Sequence, residues 1–183
     1  ESMKHITTPA IRLFVICFVC ALCLGICSEV TKEPIAAQAK AAQDSAMEAV
    51  LPDAAFEEIS DAPVSGTVTG VSVGKDSSGN TMGFVVSCTT SSFGGPLKMM
   101  VGVDTEGTVT GVRILSHSDT PGLGALATSP DFYEQFTGMS GTLAVNKDGG
   151  QVQAITSATI TSRAVTVGVN DAISWVTENG GAY

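Results

Sequence analysis

Four short stretches between residues 64 and 115 decide the fold of this chain. They read VSGTVTGVSVG (64–74), MGFVVSCTT (82–90), LKMMVGVD (97–104) and GTVTGVRIL (107–115). Apolar side chains recur with a period of two along these stretches, which is the pattern of a β-strand with one buried face. Gly79-Asn80 lies between the first two stretches and Glu106-Gly107 lies at the junction of the last two, and such pairs form the tight turns of hairpins. The spacing therefore predicts an antiparallel meander.

The sequence after these strands predicts helices and two further strands. SHSDTPGLGA (116–125) reads as a Gly/Pro loop that leads into a short helix, and a second short helix is expected over 131–138. LAVN (143–146) and QVQAI (151–155) read as two more strands. Residues 162–177 carry apolar side chains at helical spacing and stop before a glycine pair, so they predict the last helix. A meander followed by helices belongs to the α+β class.

An uncharged apolar run, LFVICFVCALCLGIC (13–27), precedes the predicted domain. A membrane-spanning helix needs roughly 20 apolar residues, and Arg12 can extend its charged end to the membrane interface while its stem stays apolar. The run therefore favours a single uncleaved anchor. The alternative is a cleaved signal peptide, although no spaced pair of small residues marks a cleavage site near Ser28.

The charges that flank this run predict its orientation. Lys4 and Arg12 precede it, whereas Glu29 and Glu33 follow it. Because basic flanks stay in the cytoplasm, the pattern predicts a single-pass protein of the cell membrane with its soluble domain on the extracytoplasmic side.

A helix-forming segment connects the apolar run to the strands. Residues 34–51 are rich in Ala, Gln, Lys and Glu. Pro34 suits the first turn of a separate helix, and Pro52 ends it. We therefore expect three parts: an N-terminal segment with one membrane helix (1–30), a connecting helix and linker (31–60), and the α+β domain (61–183).

Charge and cysteine placement exclude two classes of function. The net charge is −9 and the nine basic residues form no cluster, so nucleic acid is not an expected partner. Cys17, Cys20, Cys23 and Cys27 share the spacing of a bacterial ferredoxin cluster. They lie in an apolar helical run without a following proline, so they are expected to form a packing stripe along one helix face. No metal site is expected.

The first motif with chemical potential is TSATITSRAV (156–165), just before the last helix. Ser and Thr at such a place commonly cap the helix by accepting hydrogen bonds from its free N–H groups. The motif contains five hydroxyl residues, Thr156, Ser157, Thr159, Thr161 and Ser162. Capping accounts well for two hydroxyl residues but poorly for five. The same N–H groups and the helix dipole also attract phosphate, so the motif is compatible with a phosphorylated ligand.

The second motif is HSDTPGLG (117–124). Gly122 and Gly124 allow backbone to approach a flat ligand closely, Pro121 stiffens the loop, and Leu123 can pack on a ring face. The alternative is a rigid turn that precedes the next helix and has no ligand.

Together the two motifs resemble one family. TSATITSRAV resembles the flavinylation motif of the FMN-binding domains in the G subunit of Rnf electron-transport complexes and the C subunit of sodium-pumping NADH:quinone oxidoreductases. HSDTPGLG resembles the His-x-Glu-Thr-Pro-Gly-Leu-Gly segment of the Rnf G subunit, with Asp119 in place of Glu. In that family a flavin transferase joins FMN through a phosphoester to a threonine in a Ser/Thr-Gly-Ala-Thr sequence. The resemblance covers nearly the whole chain, anchor included.

The resemblance implies that Thr159 is the acceptor of a covalent FMN, because residues 156–158 match those before the family's threonine. Ser157 stands where Gly is usual and Gln153 where Asp is frequent, and Thr161 is a second candidate acceptor. No residue is implied to act as a catalyst. The residues implied to bind FMN are Thr156, Ser157, Ala158, Thr159, Ile160, Thr161, Ser118, Asp119, Thr120, Pro121, Gly122, Leu123 and Gly124.

The implied function is electron transfer in an Rnf-type complex, which couples electron flow between ferredoxin and NAD to ion transport. The implied partners are the other membrane and iron–sulfur subunits, the flavin transferase and the lipid bilayer. One alternative is a C subunit of the sodium-pumping quinone reductase or a stand-alone flavin carrier of the cell envelope. An alternative of another class is an anchored binding module without a redox role.

Overall fold

A computed structural model describes the backbone from Ser2 to Tyr183 and the side chains from residue 9 onward. The chain divides into two compact units, Glu1–Ala42 and Gln43–Tyr183. Lys4, which contributes to the predicted orientation, lies outside the residues whose side chains are described.

The first element is one long helix, α1 (Ser2–Val50). By its length and composition, α1 is long and apolar enough to cross a membrane. Pro34 lies inside α1, so the prediction that a separate helix begins there was wrong. The Ala-rich residues after Pro34 favour helix strongly enough to continue it past the backbone hydrogen bond that proline cannot make. The predicted end is confirmed within two residues, because α1 stops at Val50.

Five antiparallel strands form one sheet in the sequential order β1-β2-β3-β4-β5. They are β1 (Ala55–Glu58), β2 (Val68–Lys75), β3 (Thr81–Ser92), β4 (Gly95–Asp104) and β5 (Val109–Ser116). The four predicted strands and their meander order are therefore confirmed. The edge strand β1 was not predicted, because the sequence AFEE carries no apolar alternation and is mostly exposed.

The two faces of the sheet are both covered. The last helix, α3 (Thr159–Asn179), buries residues such as Val165, Val169 and Trp175 against one face. The C-terminal end of α1 and the residue after it pack on the other face, where Val50 and Leu51 share a buried cluster with Met100. The observed long helix, antiparallel sheet and final helix confirm the α+β class.

The segment between β5 and α3 contains short helices. A 3₁₀ helix spans Gly124–Thr128, and α2 (Pro130–Tyr133) continues into a 3₁₀ turn at Glu134–Phe136, so both short helices are confirmed. The prediction of two strands over 143–146 and 151–155 was wrong, because neither segment forms a strand. These segments share a single parallel bridge, between Val145 and Val152, because a 3₁₀ turn at Asn146–Asp148 interrupts the first of them.

Candidate functional site

The turn that precedes α3 is held together by one buried hydroxyl. Ser162 Oγ accepts a hydrogen bond from the Ile155 N–H (2.9 Å) and donates one to the Ala158 carbonyl (3.0 Å). The Ala158 N–H in turn donates to the Ile155 carbonyl (3.0 Å). Ser162 is fully buried, so this network fixes the backbone from which Thr159 projects.

The first turn of α3 has free N–H groups. The residue before the helix is Ala158, and no side chain in the described part of the chain caps this end. The Ser162 N–H makes a helical bond to the Ala158 carbonyl (3.0 Å), whereas the N–H groups of residues 159–161 precede it and have no acceptor one helical turn back. The hydroxyl-rich motif therefore does not serve as an N-cap, and this end of α3 can receive an anion.

Ser157 occupies a backbone conformation that favours glycine. Its φ is 63°, in the left-handed region where a Cβ atom crowds the following carbonyl. The resemblance places Gly at this position, and the observed φ explains that preference. The left-handed turn directs the chain from Ile155 into α3 over only a few residues.

The loop over 117–124 is tied to the hairpin between β3 and β4. Asp119 is 6% exposed, and its Oδ1 accepts hydrogen bonds from the Gly94 N–H (2.6 Å) and from Ser92 Oγ (2.9 Å). The Asp119 N–H donates to His117 Nδ1 (3.3 Å). Asp119 is thus a buried carboxylate with a structural task in addition to any contact with a ligand.

The two glycines of this loop have different roles. Gly122 has a φ of 76° and open space around its Cβ position, so backbone conformation explains this glycine. A Cβ on Gly124 would lie 2.7 Å from Asp119 Cγ and 2.8 Å from Thr161 Oγ1. Gly124 therefore allows the loop to pack directly against the start of α3, which brings the two sequence motifs together.

A cleft of about 380 Å³ opens where the two motifs meet. Its volume lies within the roughly 300–1,000 Å³ of small-molecule sites. The lining residues come from three separate segments of the chain. They are Phe93, Asp119, Thr120, Leu123, Gly124, Ser157, Ala158, Thr159, Ile160 and Thr161.

The structure thus brings nine of the sequence-predicted residues into one place. Gly122 and Thr156 line a neighbouring cleft of about 490 Å³, which shares Leu123 and Ser157 with the first. Ser118 and Pro121, both in the described part of the chain, line neither cleft.

Two residues of the first cleft have unused hydrogen-bonding capacity. Asp119 Oδ2 and Thr161 Oγ1 are buried and have no partner among the described residues. Unsatisfied buried polar atoms are costly, and these two belong to side chains that line the same cleft. One is an acceptor and the other is both donor and acceptor, so a ligand with polar edges fits this wall better than a purely apolar one.

Phe93 is the cleft residue that the sequence motifs did not include. It lies in the turn between β3 and β4 and is 73% exposed. A bulky apolar residue directly before Gly94-Gly95 in a hairpin turn was the signal available in the sequence, because turn tips usually carry small or polar residues.

Comparison with known proteins identifies the family. Residues 92–174 match the FMN-binding domain family. The chain is 35% identical to the G subunit of the ion-translocating oxidoreductase complex of Methanosarcina acetivorans, over 99% of this chain and 100% of that one. It is 34% identical to the G subunit of the Na(+)-translocating ferredoxin:NAD(+) oxidoreductase complex of Acetobacterium woodii, over 88% of this chain and 86% of that one.

A solved structure supports the fold. The crystal structure of Shewanella oneidensis NqrC matches with a TM-score of 0.52 and 19% identity, over 74% of each chain. Because the two G-subunit relatives match along most of their length, the chain belongs to the family of G subunits of ion-translocating oxidoreductase complexes.

Proposed function

We propose that this chain carries electrons in an Rnf-type ferredoxin:NAD oxidoreductase complex through an FMN joined by a phosphoester to Thr159. The observation that carries the proposal is the position of Thr159, half-buried at the uncapped start of α3 and lining the cleft where both motifs meet. The names of the G-subunit relatives favour this role over that of a quinone reductase C subunit.

Burial supports Thr159 over the other hydroxyl residues as the acceptor. Thr161 is 1% exposed and its Oγ1 is shielded, so a modifying enzyme would have to open the domain to reach it. Thr156 is exposed but lines the neighbouring cleft. Thr159 is only half-buried, so a modifying enzyme can reach it, and it lies beside the free N–H groups of α3.

The residues present fit an FMN group. The free N–H groups and the dipole of α3 favour the negative charge of its phosphate. Leu123 and Ile160 offer apolar surface to a flat ring, and Asp119, whose Oδ2 has no partner among the described residues, offers an acceptor to its edges or to the ribityl chain. When bound, FMN supplies the electron-transfer chemistry, while the protein attaches it, orients it and tunes its potential.

The proposal includes partners and a place in the cell. A flavin transferase would attach the FMN, and the membrane and iron–sulfur subunits of the complex would exchange electrons with it. The helix α1 would anchor the chain in the bilayer with the domain outside the cytoplasm. Protease added to cells whose outer layers have been opened should digest the domain, whereas a protected domain would reverse the orientation.

In-gel fluorescence of the denatured chain tests the covalent flavin. The wild-type chain, expressed with its flavin transferase, should fluoresce after denaturation, and Thr159→Ala should not. Thr156→Ala and Thr161→Ala are the matched controls and should keep the signal. A wild-type chain without fluorescence would favour an anchored binding module without a redox role.

A further inference from the structure

The tip of the hairpin between β3 and β4 presents an exposed aromatic ring beside the cleft. Phe93 is 73% exposed, more than any other large apolar residue described in the unit Gln43–Tyr183. Its side chain lines the same cleft as Thr159. Burial of a phenylalanine side chain is favourable, but Phe93 stays largely exposed at the edge of this cleft.

The hairpin tip is fixed rather than free. The Gly94 N–H and Ser92 Oγ both donate to Asp119 Oδ1, at 2.6 and 2.9 Å. Hydrogen bonds to a carboxylate are stronger than those between neutral groups, and this carboxylate is buried. Two bonds on one oxygen therefore hold the residues on either side of Phe93.

Close packing strengthens this attachment. A Cβ on Gly94 would overlap the Ser118 carbonyl and lie 2.7 Å from Asp119 Cα, so the tip rests directly on the backbone of the loop over 117–124. The tip cannot swing outward without breaking both bonds to Asp119. The backbone of Phe93 is consequently held beside the cleft, although its ring is mostly exposed.

Two further exposed apolar side chains line the same cleft. Ile160, in the first turn of α3, is 53% exposed, and Leu123 in the loop is 41% exposed. Single exposed apolar residues are ordinary on protein surfaces, but a contiguous group marks a binding site. Here three separate segments of the chain each contribute one member.

We propose that Phe93 contacts the isoalloxazine ring of the bound FMN, and that Asp119 acts as a positioning residue that holds Phe93 there through its Oδ1. The inference rests on the proposed function, since it takes the ligand to be an FMN attached at Thr159. It adds a third wall, from the hairpin, to the two walls that the sequence motifs supply.

Substitution of Phe93 in the full flavin-carrying chain tests the contact. Phe93→Trp places an electron-rich indole, an efficient quencher of flavin fluorescence, beside the ring, so emission per flavin should fall several-fold. Phe93→Ala removes the wall, so quenching by the neutral solute acrylamide should increase about twofold or more. Val64 is 64% exposed and lies outside the lining of the cleft, so Val64→Trp and Val64→Ala are matched controls that should change neither signal.

The outcomes separate this inference from the proposed function. Each variant is first weighed by mass spectrometry. A wild-type chain without the flavin mass overturns the proposed function itself. Variants that carry the flavin mass but keep wild-type emission and acrylamide quenching refute the contact of Phe93 alone.

The role of Asp119 is tested by combining substitutions. Asp119→Ala should increase acrylamide quenching as Phe93→Ala does, and the double variant should show no additional increase. Asp119→Asn retains the Oδ1 acceptor and should stay near wild type. Ser92→Ala removes one of the two bonds, preserves the buried carboxylate and should give a smaller increase, which covers the case in which Asp119→Ala does not fold. Independent effects of the Asp119 and Phe93 substitutions, or an unchanged Ser92→Ala, would contradict the positioning role.

Discussion

Replacing Ser157 by glycine should stabilise the domain, although most substitutions in a binding site are neutral or harmful to stability. Ser157 has a φ of 63°, and a left-handed conformation costs a residue with a Cβ roughly 1–2 kcal/mol. The Ser157 side chain is exposed and no hydrogen bond to it is observed among the described residues, so its removal loses little.

The expected net gain follows from two opposing terms. Glycine relieves the left-handed strain, but it also gives the unfolded chain more conformational freedom, which costs about 0.4–1 kcal/mol. The free energy of unfolding should therefore rise by about 0.5–1 kcal/mol, and the melting temperature by roughly 1–4 °C.

Thermal unfolding of the full chain in detergent, followed by the fluorescence of Trp175, measures this change. Trp175 is the one tryptophan of the sequence and is 2% exposed, so its emission reports on the core. Ser157→Ala is the matched control: it retains the Cβ atom and should give no stabilisation. If glycine and alanine had equal effects, left-handed strain at Ser157 would be refuted.

Three further predictions concern the same unit. Gly124→Ala should lower the free energy of unfolding by about 1–3 kcal/mol, because the new methyl group would crowd Asp119 and Thr161; urea unfolding measures this. Burial raises the pKa of the Cys88 thiol from its ordinary 9.0 to about 12, so above pH 9 only the unfolded state releases this proton. Stability should be unaffected by this thiol below pH 9 and lower by about 1.4 kcal/mol at pH 10, and Cys88→Ala should remove that part of the pH dependence. Asp171 Oδ2 accepts bonds from the Thr67 N–H (2.8 Å) and Oγ (2.7 Å), so Asp171→Ala should cost about 1–3 kcal/mol in the same urea experiment.

The sequence predicted those strands and helices that are marked by the spacing of apolar residues within the element itself. Apolar residues recur along β2 to β5 between turn residues clearly enough to locate these strands within a few residues, although burial of both sheet faces leaves runs of consecutive buried residues in β2, β3 and β4. The spacing of apolar residues located α3. The edge strand β1 has no such alternation, because its hydrogen bonds to β2 rather than a buried face define it. The LAVN and QVQAI segments alternate like strands, but turns limit them to one bridge.

The candidate site was predictable where it coincides with a motif. The cleft lies where HSDTPGLG meets TSATITSRAV, as the resemblance implies, and the buried contact between Gly124 and Thr161 explains why the two must meet. Phe93 was not predicted, because its place depends on hydrogen bonds from the hairpin to Asp119, which is 25 residues from Gly94. Contacts of this range follow from the folded sheet and not from spacing along the chain.

Peptide mapping of the flavin would show directly whether Thr159 carries it. The chain is purified from cells that contain its flavin transferase and digested with trypsin, and each peptide is sequenced by tandem mass spectrometry. We expect one peptide, from residues 148–163, to carry the mass of FMN, with fragment ions that locate it on Thr159. An FMN on Thr156, Thr161 or a residue outside this peptide would contradict the assignment, and a chain with no modified peptide would contradict covalent attachment altogether.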